Sequence, residues 1–210
     1  MPKRHIAPLR SQRSLRRTAG RRVPKPLVLI ACEGHTERTY FEAVRVNLGL
    51  RTVEIAEETG LDPSRLVRYI ERRMRDEGPF EHVVCAFDKD SHTHFESARA
   101  RIRELAVGRK PIKIQEAVSI PCVEYWFLLH YERTAKPFHS SNEVITHIKE
   151  AGHIPNYEKA DATVCRDLVA RTDAAIANAI WLTERAKADR FDNPFTNVHE
   201  IVALLRSLVA

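Results

Sequence analysis

An unbroken apolar run that ends at an acidic residue constrains the fold of this chain more than any other feature. Residues 27–32 are all apolar and are followed directly by Glu33 and Gly34. Such runs are typical of parallel strands that helices cover on both faces. Because ligands of open α/β sheets bind beyond the carboxyl ends of these strands, Glu33 lies where a functional site is expected. Gly34 permits a tight turn there, and Thr36 is placed to cap the helix that follows.

A second strand-like run also ends in acidic residues. Residues 83–87 lead directly into Asp88, Lys89 and Asp90. Mg²⁺ prefers carboxylate oxygens, and one or two protein carboxylates are enough because it retains several waters. Together with Glu33, these residues therefore predict a site for Mg²⁺ or Mn²⁺. The alternative is that the two aspartates only cap the following helix.

The remaining pattern alternates strands with helices and then becomes helical. Strand–helix alternation predicts a parallel sheet covered by helices, which is an α/β fold. The predicted strands are 27–32, 51–56, 81–87 and 112–118, and the helices between them are 36–48, 62–76 and 95–107. Beyond residue 118 we expect helices only: an aromatic-rich helix that opens near Pro121, then 142–150, 160–188 and 198–209.

The length and composition fit one domain with a basic arm. We assign residues 1–26 to a disordered arm and residues 27–210 to a single domain, with an α/β core over 27–118 and a helical portion over 119–210. No apolar run is long enough to span a membrane. The four cysteines form no CxxC pair, so we expect reduced, buried thiols and a cytoplasmic location.

The positive charge of the chain is concentrated in that arm. Residues 1–26 hold nine of the 34 Lys and Arg residues and no acid, so residues 27–210 hold 25 basic and 28 acidic residues. The arm is expected to bind nucleic-acid phosphates in a salt-dependent manner, although it could instead be a solubilising or partner-docking tail. The candidate nucleic-acid-binding residues are Arg13, Arg16, Arg17, Arg21, Arg22 and Lys25.

Further acids and bases extend the candidate site. Glu37 lies one helical turn after Glu33 and is either a further site residue or part of a helix cap. Glu124 lies among apolar neighbours and needs a partner, which could be a metal ion or an arginine. Lys89 or His92 could stabilise developing negative charge. We interpret His130 as a structural hydrogen-bonding residue and Asn197 as a helix cap.

The chain lacks several familiar catalytic motifs. It contains no GxxxxGK[ST], no GxGxxG and no GxSxG sequence. A P-loop nucleotide hydrolase and a serine hydrolase are therefore disfavoured. Metal-assisted chemistry on a phosphodiester remains the best enzyme class.

Taken together and in order, these motifs resemble the RloB family. The resemblance is carried by residues 32–37 with Tyr40 and Phe41, and by the segments 87–90, 119–130, 156–159 and 193–199. It implies a Toprim-like fold, the metal-binding module of topoisomerases, primases and related nucleases, and a gene setting near restriction and abortive-infection loci. In that module a glutamate ends the first strand and a DxD ends a later one, which assigns the metal site to Glu33, Asp88 and Asp90. Glu37 and Glu124 are the next site residues that the resemblance implies.

The function expected from residues and resemblance is a Mg²⁺-dependent nuclease of a prokaryotic anti-phage defence system. Its substrate could be RNA, including tRNA, or DNA. The alternative is a non-catalytic nucleic-acid-binding or regulatory subunit that works with a partner ATPase. A third interpretation, nucleotidyl transfer, follows from the primases that share the module, and no nucleotide-binding motif supports it.

Overall fold

The computed structural model describes residues 27–56, 58–78, 80–89, 94–108 and 112–209. Five strands and eight helices lie within these residues. The strands are β1 (Val28–Cys32), β2 (Val53–Ile55), β3 (His82–Asp88), β4 (Lys113–Ile120) and β5 (Phe195–Thr196). The helices are α1 (His35–Asn47), α2 (Pro63–Asp76), α3 (Phe95–Gly108), α4 (Val123–Leu128), α5 (Ser141–Glu150), α6 (Ala162–Val169), α7 (Thr172–Asp189) and α8 (Val198–Ser207).

The strands form one mostly parallel sheet in the order β2-β1-β3-β4-β5. The strands β1 to β4 pair in parallel, and β5 pairs antiparallel to β4 through Ser119 and Thr196. Helices connect the successive parallel strands, as parallel pairing requires. The architecture is a mixed α/β fold consistent with the Toprim-like module, as the sequence predicts.

Both faces of the sheet are covered, which explains why β1 is apolar at every position. Val28 and Ile30 contribute to a core formed with α1 and with α4 to α8, whereas Leu29 and Ala31 contribute to a core formed with α2 and α3. Successive side chains of a strand point to opposite faces, so neither face of β1 can carry polar residues. All five β1 residues are fully buried.

The helix-start signals were correct at α2 and wrong at α1. Asp62 caps α2 and accepts a hydrogen bond from the Arg65 N–H, as predicted. Helix α1 begins one residue earlier than predicted, so Gly34 occupies the N-cap position and Thr36 lies inside the first turn. Thr36 therefore does not cap the helix, and Gly34 has an extended backbone rather than a tight turn.

The helical portion differs from the prediction in two places. The predicted helix 160–188 is two helices, α6 and α7, that are separated near Ala170 and Arg171. The strand β5 is added to the sheet where only helices were expected, and the side chain of Asn197 fixes this segment to β4. Its side chain does not cap α8 but bonds to β4, accepting from the Val118 N–H and donating to the Glu116 carbonyl.

One further prediction, of buried free cysteines, is confirmed, and others fall on residues that the structure does not describe. All four cysteines are free and buried, as predicted. Over the ranges that the structure describes, no helix is long and apolar enough to cross a membrane. The arm residues 1–26 lie outside the described residues, and so do Asp90 and His92.

Candidate active site

Four carboxylates line one cavity at the carboxyl edge of the sheet. Glu33 directly follows β1, and Asp88 is the last residue of β3. The two strands are parallel neighbours, with Cys32 opposite Ala86, so their ends meet at the same edge. Glu37 and Glu124 reach this edge from the first turns of α1 and α4. The four residues line a cavity of about 460 Å³, which we name the carboxylate pocket.

Backbone hydrogen bonds fix the two strand ends to each other. The Glu33 N–H donates to the carbonyl of Ala86 at 2.8 Å, which extends the pairing of β1 and β3 by one residue. The Asp88 N–H donates to Oε2 of Glu33 at 3.3 Å. The position of the Glu33 carboxylate is therefore set partly by the strand that carries Asp88.

Gly34 makes room for the carboxylate of Glu37. A Cβ at residue 34 would lie 2.7 Å from Oε2 of Glu37, closer than van der Waals contact permits. The backbone of Gly34 has φ −118° and ψ 171°, a conformation that any residue can adopt. Glycine is thus required here by the close approach of Glu37 rather than by the turn.

Gly34→Ala is expected to impair activity much more than folding. The new methyl group conflicts only with the end of the Glu37 side chain and with no backbone atom, so the free energy of unfolding should change by less than about 1 kcal/mol. The Glu37 carboxylate must move by about 1 Å, and a misplacement of that size can cost about 100-fold in rate. Denaturant unfolding measures the first effect, and the kinetics of the metal-dependent cleavage proposed below measure the second.

A double-mutant cycle separates this explanation from a general backbone effect. In a Glu37→Ala background the methyl group at residue 34 meets no carboxylate, so Gly34→Ala should have no further effect on cleavage. An equal loss of rate in both backgrounds would show that Gly34 acts independently of Glu37.

Glu124 is buried at the inner wall of the pocket. Only 1 % of the residue is exposed, and its Oε1 accepts a hydrogen bond from the Tyr157 hydroxyl at 3.0 Å. The ammonium of Lys159 lies 3.9 Å from the same oxygen. A buried carboxylate is costly unless it is paired and hydrogen-bonded. Tyr157 and Lys159 are the partners in the structure, whereas the sequence analysis named a metal ion or an arginine.

The pocket raises the pKa values of two of its carboxyl groups, those of Glu37 and Asp88. The pKa of Glu37 is raised to about 7, mainly by burial and also by the charges of Glu33 and Glu124, against the lowering effect of its own backbone N–H and of Lys159. Burial also raises the pKa of Asp88 well above its ordinary value, with contributions from Glu37 and Glu124. The Val123 N–H donates to the Asp88 carboxylate and opposes that rise. Negative charge in the pocket is therefore insufficiently compensated by the protein.

The carboxylate oxygens of the pocket are the ligand type that a hard divalent cation prefers. Their arrangement, however, does not form a complete coordination site. All four acidic side chains offer oxygen ligands, as Mg²⁺ and Mn²⁺ prefer. Among the described residues, however, no three His, Cys, Asp or Glu side chains are grouped closely enough to hold a metal ion as they stand. Glu33 and Asp88 are the residues that would hold the ion, with Asp90, substrate oxygens and water as further ligands.

A family model described as RloB-like protein matches residues 28–205. The chain belongs to the RloB-like protein family. The match includes all four carboxylates of the pocket together with Lys159. No curated protein and no solved structure is significantly similar to the chain.

The structure of this RloB-like protein brings some of the predicted site residues together and separates others. Glu33, Glu37, Asp88 and Glu124 share the carboxylate pocket. Lys89 instead lines a neighbouring cavity, and its ammonium lies 3.3 Å from Asp192. His130 makes the structural hydrogen bond that was predicted, through Nδ1 to the carbonyl of Trp126 at 2.9 Å. Asp90 and the arm residues remain predictions because they lie outside the described part of the RloB-like chain.

Sequence reasoning did not assign Tyr157 and Lys159 to the site. Both lie in the segment between α5 and α6, and Lys159 is followed by Ala160 with the left-handed φ of 60°. No periodicity marks this segment, which reaches the pocket only because the helices after β4 pack back onto α1. The one available signal was the similarity of residues 156–159 to the RloB family.

Proposed function

We propose that this RloB-like protein is a metal-dependent nuclease that cleaves phosphodiester bonds of nucleic acid in a prokaryotic anti-phage defence system. The observation that supports this proposal is the convergence of four carboxylates on one pocket at the carboxyl ends of β1 and β3. The defence role rests on the family resemblance alone. The proposed cofactor is Mg²⁺ or Mn²⁺, and the proposed location is the cytoplasm.

In this mechanism the strand-end acids and Glu124 have different tasks. A bound divalent cation would polarise the scissile phosphate and lower the pKa of the attacking water. Glu33 and Asp88 would hold the cation, with Asp90 as the third protein ligand. Glu124 is held by Tyr157 and keeps the ammonium of Lys159 at the pocket.

Lys159 is the residue best placed to contact the substrate phosphate. Its side chain is 58 % exposed while its ammonium lies 3.9 Å from the buried Glu124. An ammonium on a flexible stem can pair with a phosphate oxygen as a point charge. Such a contact would compensate the repulsion between an anionic substrate and the carboxylates. The arginines of the arm would bind the phosphate backbone farther from the pocket.

The decisive experiment is a cleavage assay with a panel of substrates. Purified protein is incubated with mixed tRNA, single-stranded RNA or plasmid DNA in Mg²⁺, Mn²⁺ or EDTA. We expect cleavage of one substrate class with metal, none with EDTA, and none for Glu33→Gln. Glu104→Gln, which neutralises an exposed acid of α3, is the matched control and should cleave as the unmodified protein does.

The rival function makes a different prediction in the same assay. A binding or regulatory subunit of a complex with a partner ATPase would show no metal-dependent cleavage of any substrate. It would still bind nucleic acid in a manner that depends on salt and on residues 1–26 but not on Glu33. That combination of results would refute the nuclease proposal.

A further inference from the structure

A second cavity lies beside the carboxylate pocket, and the proposed reaction does not use it. It measures about 410 Å³ and we name it the side cavity. Its lining includes Lys89, Ile120, Pro121 and Phe138. Its volume is typical of a cavity that binds a small organic ligand or one unit of a larger one.

The two cavities are neighbours because of how β3 ends. Asp88 and Lys89 are consecutive, and side chains of an extended segment point alternately to opposite sides. Asp88 therefore lines the carboxylate pocket while Lys89 lines the side cavity. The Lys89 N–H donates to the Ser119 carbonyl at 3.0 Å, which fixes this residue against the end of β4. A nucleic-acid strand whose phosphate lies beside Asp88 would therefore also pass Lys89.

The Asn193 side chain is a fixed part of the wall of the side cavity. It donates through Nδ2 to the carbonyl of Phe138 at 2.9 Å, and this bond fixes the orientation of the amide. Its Oδ1 is buried, and the described residues offer it no hydrogen-bond partner. A ligand in the cavity therefore meets the other lining residues rather than this oxygen.

The rest of the lining suits the base and phosphate of a nucleotide. Ile120, Pro121 and Phe138 provide an apolar wall, and the exposed ring of His139 can stack on a base. The backbone N–H of His139 donates to Glu143, which fixes the backbone that carries this ring at the start of α5. Lys89 provides the positive charge for a phosphate, and the exposed Asp192 now holds its ammonium at the rim.

We propose that the side cavity binds one nucleotide of the substrate strand next to the scissile phosphate, with Lys89 on its phosphate and His139 on its base. This inference rests on the proposed function, because it assigns the substrate path of the same site. Asp192 is the residue that the phosphate displaces from Lys89.

The test is binding without cleavage. Fluorescence anisotropy in EDTA measures the Kd of short single-stranded adenylate oligomers for the full chain at several salt concentrations. Lys89→Gln should weaken binding about 10-fold and reduce the slope of log Kd against log salt by about 0.7, the value for one phosphate contact on a single strand. Lys113→Gln removes an exposed lysine at the opposite edge of the sheet and should change neither quantity.

Two further variants test the base and the rim. His139→Ala should weaken binding about 10-fold, and His139→Phe should restore it because a ring still stacks. An oligomer of abasic nucleotides should bind both variants equally. Asp192→Asn should strengthen binding about threefold, because it removes the carboxylate that now holds the Lys89 ammonium. Asp189→Asn, which neutralises an exposed acid at the end of α7, should leave binding unchanged.

The possible results separate this inference from the nuclease proposal. If Lys89→Gln and Lys113→Gln have equal effects, or if His139→Ala is silent, the side cavity does not bind the strand, whatever the cleavage assay shows. If adenosine monophosphate binds as tightly as the oligomer, the cavity is a site for a free nucleotide and the strand assignment is wrong. Absence of cleavage with the expected binding pattern would refute only the nuclease.

Discussion

Asp88→Asn should abolish metal-dependent cleavage and make the metal-free protein more stable. The ionised Asp88 lies with Glu33, Glu37 and Glu124 in one pocket, and this environment opposes its charge. Asparagine keeps an oxygen that can accept from the Val123 N–H while it removes the charge. Polarisation by a bound metal contributes several kcal/mol to catalysis, so the rate should fall about 1000-fold or more.

The stability measurement distinguishes a lost ligand from a lost fold. At about pH 8 the free energy of unfolding of Asp88→Asn should equal or exceed that of the unmodified protein, because a repelled charge has been removed. Asp62→Asn is the matched control, since asparagine caps α2 as well as aspartate does and no activity should be lost. Full activity in Asp88→Asn would refute the site, and a destabilised Asp88→Asn would refute the proposed repulsion.

The strand-end carboxylates could be predicted because their position follows from local sequence. The apolar run before Glu33 marks a covered parallel strand, and the run before Asp88 marks another. Parallel strands place their carboxyl ends at one edge whatever the connecting helices do. Two separate short segments therefore sufficed to predict that these residues meet, and the structure places them in one pocket.

The other site residues depend on packing between distant segments. The burial of Glu124 could be predicted from its apolar neighbours, but its partners Tyr157 and Lys159 are more than thirty residues away and follow no periodic pattern. Gly34 was interpreted as a turn residue because the sequence spacing does not reveal the side-chain conformation that brings the Glu37 carboxylate against it. Lys89 was assigned a catalytic, charge-stabilising role from its sequence position beside Asp88, whereas in the structure its side chain lines the side cavity.

The sequence analysis missed the strand β5 and the break between α6 and α7 for the same reason, which is that each depends on a side-chain hydrogen bond. The strand β5 has two residues, too few to give a periodic signal, and it exists because the Asn197 side chain bonds to the backbone of β4. The break between α6 and α7 contains neither glycine nor proline. Thr172 is buried there, and its hydroxyl donates to the carbonyl of Val169 instead of facing solvent. The secondary-structure propensities of the local sequence do not reveal either hydrogen bond.

Glu37→Gln should change how stability depends on pH in the metal-free protein. The pKa of Glu37 is raised from its ordinary value of 4.5 to about 7, so between these pH values the folded state binds more protons than the unfolded state. Its contribution is therefore favourable at low pH and is lost as pH rises through about 7. The stability of Glu37→Gln relative to the unmodified protein should increase by about 2 to 3 kcal/mol between about pH 5 and about pH 8.

The quantity to measure is the difference in the free energy of unfolding between Glu37→Gln and the unmodified protein. Buried histidines give the unmodified protein an opposite dependence on pH, and the difference removes it. Burial lowers the pKa of His130 to about 4 and also lowers that of His199. Their contributions rise with pH, and they cancel in the comparison with Glu37→Gln. Glu143→Gln removes an acid from the equivalent position of α5, where the residue is exposed, and is the matched control.

Addition of Mg²⁺ should reverse the effect of pH on the unmodified protein. A cation that binds the ionised pocket stabilises the folded state in proportion to its occupancy, and the carboxylates must be deprotonated to bind it. The increase in melting temperature on adding Mg²⁺ should therefore be larger at about pH 8 than at about pH 5. It should be absent in Asp88→Asn. An increase of equal size at both pH values, or one that persists in Asp88→Asn, would place the cation outside the carboxylate pocket.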